Sequence, residues 1–101
     1  MIDFKNLKKN RTYYWADYFC GEWSILKIKY LRTGPSSEGQ TNLFKVFFPH
    51  GPVERLFEES ADSGLMFYNF EDARIYIVRT LQKVMTSVLS SIKRIQELSN
   101  D

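Results

Sequence analysis

The sequence predicts a small α+β domain: a bent antiparallel sheet of about five short strands followed by one long carboxy-terminal helix. Three observations carry that expectation. At 101 residues, 44% hydrophobic and 16% aromatic, the chain has the size and the apolar material for a single packed core. Apolar residues alternate with a period of two in Trp23–Arg32 and Asn42–Phe48, then recur at spacings of three and four from Phe70 onward. Between the apolar runs stand clusters of Gly, Pro, Ser and Asn, the residues that close turns. Neither a repeat nor a linker interrupts the pattern, so residues 1–101 read as one domain, with the sheet over about 12–68 and the helix over about 70–98.

The elements follow in order. Residues 1–11 mix Ile2, Phe4 and Leu7 with Lys5, Lys8 and Lys9, which suits a short helical turn or an extended lead-in. Thr12–Phe19 is almost wholly aromatic or β-branched, a strand composition, and Cys20-Gly21-Glu22 offers a tight turn into a hairpin. In Trp23–Arg32 the residues Leu26, Ile28 and Tyr30 share one face while Lys27 and Lys29 share the other. Thr33–Thr41 holds Gly34, Pro35, Ser36, Ser37 and Gly39 and reads as a surface loop. Asn42–Phe48 is apolar on both faces and is expected to be central. Pro49-His50-Gly51-Pro52 breaks it, and Val53–Phe57 and Leu65–Tyr68 supply two more strands around an acidic stretch over Glu58–Gly64.

At Asn69 the period changes. Asn69 is a capping residue, Asp72 stands three positions on, and Glu71 suits the positive end of the helix dipole. The stripe Phe70, Ala73, Ile77, Leu81, Val84, Val88, Ile92, Ile95 and Leu98 then continues nearly to the end, with Ile77, Leu81 and Val84 expected to pack across the sheet. A helix over that whole stretch is about 43 Å long, whereas a compact domain of this size is about 30 Å across. Either its end overhangs, or it breaks near the weak helix formers Thr86, Ser87, Ser90 and Ser91.

Composition narrows the function classes. The 14 basic and 12 acidic residues nearly cancel, so no global field marks a nucleic-acid or membrane-surface binder. The distribution is uneven: residues 1–50 carry eight basic and four acidic residues, and residues 51–101 carry six and eight. One cysteine, Cys20, forbids an intramolecular disulfide, and with no apolar run of membrane-spanning length a cytoplasmic protein is expected. Asn10-Arg11-Thr12 matches a glycosylation acceptor, which matters only for a secreted chain.

No pattern calls for chemistry. One His and one Cys cannot build the usual zinc sites, no phosphate-cradling glycine motif occurs, and neither metal nor cofactor is expected. A Cys20–His50 dyad would need two turns to meet, and Glu58, Glu59 and Asp62, which could form an acid/base or calcium cluster, read as a solvated loop. The expectation is a protein that is not an enzyme.

What remains is the basic and aromatic amino-terminal half. Tyr13, Trp15 and Trp23, with Lys27, Lys29 and Arg32, are the candidate binding residues, because rings anchor protein interfaces and also stack on bases beside phosphate-neutralising cations. The competing expectation is that the rings are core and the lysines keep an exposed strand face soluble. On the helix, Val88, Ile92 and Ile95 are candidate dimer contacts.

Lys8-Lys9-Asn10-Arg11-Thr12-Tyr13-Tyr14, Leu65-Met66-Phe67 and the opening Asn69-Phe70-Glu71-Asp72-Ala73 resemble small bacterial and phage proteins that pair a short SH3-like barrel with one carboxy-terminal helix. The likeness spans residues 7–85, and those proteins usually carry glycine where Asn10 stands. It implies an SH3-like partial barrel and a prophage or mobile-element origin, and leans toward a role like that of small phage proteins that occlude a host protein. Three functions are therefore expected in order: a non-catalytic module that binds and modulates or inhibits a host protein; a small barrel holding single-stranded nucleic acid; a structural homodimer built by the helix.

Overall fold

The structure is a computed structural model and describes residues 2–34 and 41–98. Five strands form one antiparallel sheet: β1 (Thr12–Phe19), β2 (Glu22–Thr33), β3 (Thr41–Phe48), β4 (Gly51–Glu58) and β5 (Met66–Phe67), in the order β4-β3-β2-β1-β5. A 3₁₀ turn at Phe4–Asn6 precedes the sheet, a single helical turn α1 (Glu59–Asp62) and a second 3₁₀ turn at Ser63–Leu65 follow β4, and the long helix α2 spans Phe70–Gln96. Most of the expected loop, residues 35–40, lies outside the described residues.

The β1–β2 hairpin closes through Cys20 and Gly21 at φ of 52° and 82°, the doubly left-handed geometry of a type I′ turn, whose twist matches that of the strands. The expected break at Pro49–Pro52 shrinks to a two-residue turn, Pro49-His50, and β4 begins at Gly51. Pro52 is tolerated because β4 is an edge strand, where one flank of the backbone needs no partner. β3, expected to be central, lies second from the edge, and the middle place belongs to β2.

Register sorts the side chains. Tyr13↔Ile28, Trp15↔Leu26, Ile28↔Val46 and Tyr30↔Phe44 place one set on the inner face, and all but the half-buried Tyr30 are buried. The sheet curls around them but does not close. The Trp15 ring on β1 meets the Phe57 ring on β4 edge-on at 5.0 Å, although a flat sheet would hold those strands about 14 Å apart. Ile2 and Phe4 plug the curl from the amino-terminal segment, Phe4 lying 5.9 Å from Phe44. That segment is tied down where the Phe4 N–H donates to the Glu59 carboxylate at 2.7 Å. Asp62 accepts from the Glu58 N–H at 2.8 Å, so both acids hold backbone rather than forming a solvated loop.

The outer face of β1 is also covered, by the first turns of α2. Asn69 caps the helix, its side chain accepting from the Asp72 N–H at 2.8 Å and donating to the Asp72 carboxylate at 3.1 Å. Ala73 and Ile77 are buried, Tyr14 meets Phe70 at 6.0 Å, and Trp23 meets Tyr76 at 6.1 Å. Leu81 and Val84, expected in the same contact, are 49% and 55% exposed. Between Phe70 and Tyr76 the helix advances from the middle of β1 toward the β1–β2 turn, so by Leu81 it has passed the sheet's end. It does not break at Thr86–Ser91: one α-helix runs to Gln96.

Candidate functional site

Two of the six expected binding residues belong to the core. Tyr13 is fully buried, its hydroxyl accepting from the Lys8 N–H at 3.0 Å, and Arg11 lies over its ring at 5.4 Å. Trp15 is 5% exposed, with Phe57 at its edge and the Arg55 guanidinium 4.8 Å above its ring. Neither ring offers a surface to a partner. The cause is the pairing of β1 with β2, which aligns both with Leu26 and Ile28 on the inner face.

Trp23 keeps an outer position. Half-buried at the start of β2, it packs on Tyr18 at 5.1 Å and on Tyr76 of α2. Tyr18 and Phe19, absent from the expected set, are 58% and 73% exposed beside the turn. Trp23 and Tyr18 thus form an aromatic pair on the outer face where α2 leaves the sheet, and Phe19, one residue on, falls on the opposite face. The missing signal lay in the turn: apolar residues flanking a two-residue loop have no further strand to cover them.

The expected basic residues do share a face. Lys27 and Lys29 lie on the outer side of β2, and the pairing Lys29↔Lys45 puts a further lysine beside them. Arg32 joins them because the register shifts between Tyr30 and Arg32, two β2 residues opposing one on β3, so that Arg32 lies opposite the outer-face Leu43. Lys45 in turn opposes Glu54 on β4. Direct like-charge pairs are destabilising across a sheet, so Lys29–Lys45 is a local cost. Alternation with Phe44 and Val46 could have identified Lys45; the bulge that turns Arg32 has no sequence signal.

The third surface is the overhanging helix. From Leu81 to Leu98 every residue is exposed, among them Leu81, Val84, Met85, Val88, Leu89 and Ile92. The candidate contacts Val88, Ile92 and Ile95 are 51%, 47% and 59% exposed and lie on one helical face.

Cys20 is exposed in its turn, His50 stacks on Phe48 at 5.2 Å in another, and no hydrogen bond joins them. Among the described residues no cluster of His, Cys, Asp and Glu is arranged to hold a metal ion, and no helix is long and apolar enough to cross a membrane. The single ion pair among them, Arg74–Glu71, lies on the exposed first turns of α2; the hydrogen bond from Arg74 holds the Glu71 carboxyl below its ordinary value. Comparison with protein families, with characterised proteins and with solved structures finds no match to this chain.

Proposed function

We propose that the chain is a non-catalytic protein-interaction module of phage or mobile-element origin that docks on a host protein in the cytoplasm and modulates or inhibits it. The observation that supports it is the placing of exposed apolar surface: the exposed Tyr18 beside the half-buried Trp23 on the outer face of the hairpin tip, at the root of a helix whose apolar stripe is bare. Large rings on a short, hydrogen-bonded hairpin lose little freedom when they enter a partner's pocket, and they supply most of the affinity of small interfaces. The origin and the inhibitory role rest on the resemblance carried by Lys8–Tyr14 and Asn69–Ala73.

A tagged pull-down from host lysate, with and without nuclease, tests it. One protein should survive nuclease and be lost with Tyr18→Ser or Trp23→Ala. Retained nucleic acid, or proteins that vanish with nuclease, would overturn the proposal. They would favour a second reading, supported by Lys27, Lys29, Arg32 and Lys45 on one face, in which the barrel holds single-stranded nucleic acid with steeply salt-dependent affinity.

A further inference from the structure

We infer that the bare face of α2 is seated in solution against the same face of a second copy of this chain, the two helices running in opposite directions. The inference rests on reading the chain as an interaction module, and it names the partner of the helix while leaving the hairpin tip to the host protein.

The stripe itself asks for cover. Leu81, Val84, Met85, Val88, Ile92 and Ile95 are each about half exposed, and together they run along one side of the overhang. An apolar strip of this length is costly to leave in water.

Charge placement fits a self-complementary seam. At about 3.6 residues per turn, the positions flanking the stripe are Gln82 and Gln96 on one side and Ser87 and Ser91 on the other, all uncharged. Arg79, Lys83, Lys93 and Arg94 fall toward the far side. A second copy therefore meets no like charge along the contact, and the two serines let the backbones approach. The cations of the far side would also suit an anionic lipid surface, an occupant that the vesicle arm of the test below separates from a second copy.

The area fits a weak dimer. Leu81 to Gln96 is about 24 Å of helix, and pairing it with a copy covers on the order of 1,000 Å² in total, the floor for a specific interface and below the range of tight ones.

The direction follows from where the sheet sits. Ala73 and Ile77, which meet the sheet, precede Leu81 on the same side of the helix at spacings of four. In a parallel pair both sheets would occupy the space between the helices and collide. Run antiparallel about a centre near Leu89, each helix ends before reaching its partner's sheet, and Gln82 of one copy faces Gln96 of the other.

Sedimentation of the full chain, from micromolar to near-millimolar concentration, should show the mass rising from 12.0 kDa to twice that value. The double variant Val88→Glu/Ile92→Glu should stay monomeric with an unchanged near-ultraviolet circular dichroism spectrum. In a Cys20→Ser background, an equimolar mixture of Gln82→Cys and Gln96→Cys chains should oxidise to a crosslinked dimer, while neither variant alone does so. A monomer at every concentration overturns the inference, as does dimerisation that survives the double variant or self-crosslinking of Gln82→Cys alone. Uptake of the monomer by anionic phosphatidylserine vesicles would instead assign the face to a membrane. If the chain is monomeric but still captures a nuclease-resistant protein through Trp23, the interaction-module reading stands and the second copy falls. A dimer that captures nothing gives the converse.

Discussion

Cys20 is a residue in an awkward backbone. Its φ of 52° is left-handed, a region that costs a side-chain-bearing residue roughly 1 kcal/mol and that Asn tolerates best after glycine. Cys20→Asn creates the favoured Asn-Gly pair of a type I′ turn and should stabilise the domain by about 0.5–1 kcal/mol, read as a higher urea midpoint with an unchanged slope. Asn10 already shows the same accommodation at φ of 66°. Trp15 behaves in the opposite way. Because it is packed against Phe57 and beneath Arg55, Trp15→Ala should cost about 3–5 kcal/mol and act by unfolding, not by releasing a partner. The separation of Tyr13 and Trp15 from Trp23 was not legible in the sequence. β1 is covered on both sides, by the curl of the sheet and by α2, so Tyr13, Tyr14, Trp15 and Ala16 are apolar without alternation and the inner set leaves no periodic mark. In β2 only one face is fully covered, and there the alternation of Leu26 and Ile28 with Lys27 and Lys29 revealed the burial directly.

Among the elements, α2 was legible at its start and not in its docking. Asn69 and Asp72 announce the cap, and Asn69→Ala should lower stability by about 1 kcal/mol in thermal or urea unfolding. The spacing of three and four gives the helix face but is the same whether a sheet, another chain or water lies beyond it, so it does not separate the exposed Leu81 and Val84 from the buried Ala73 and Ile77. The weak helix formers do not break the helix: the Thr86 hydroxyl donates to the Gln82 carbonyl at 3.0 Å, satisfying itself within the turn. Glu71 gives the same element a pH response. With its folded value lowered from 4.5 by the Arg74 hydrogen bond, its contribution is present above pH 4.5 and lost as pH falls through that lowered value. Glu71→Gln should therefore flatten the stability profile only below pH 4.5. In the sheet, Lys29→Gln removes one side of the Lys29–Lys45 pair and should stabilise by about 0.2–1 kcal/mol at low ionic strength, the gain shrinking as salt is added.

The whole molecule is elongated, 63 × 31 × 22 Å with a radius of gyration of 18.0 Å against about 13 Å for a compact chain of this length. The overhang accounts for the difference. Strand pairing, by contrast, is almost entirely sequential: β1 with β2, β2 with β3 and β3 with β4. The exception is β5, which reaches back to β1 through Tyr14↔Phe67 and Trp15↔Met66. That asymmetry orders events in time. Neighbouring hairpins close short loops and form early, whereas docking β5, and α2 behind it, must first close a loop of roughly 50 residues for two residue pairs. Kinetic effects should divide accordingly: substitutions at Ile28 or Val46 slow refolding, while Ala73→Gly leaves the refolding rate nearly unchanged and accelerates unfolding. The helix that carries the exposed face would then be the last part to arrive and the first to let go.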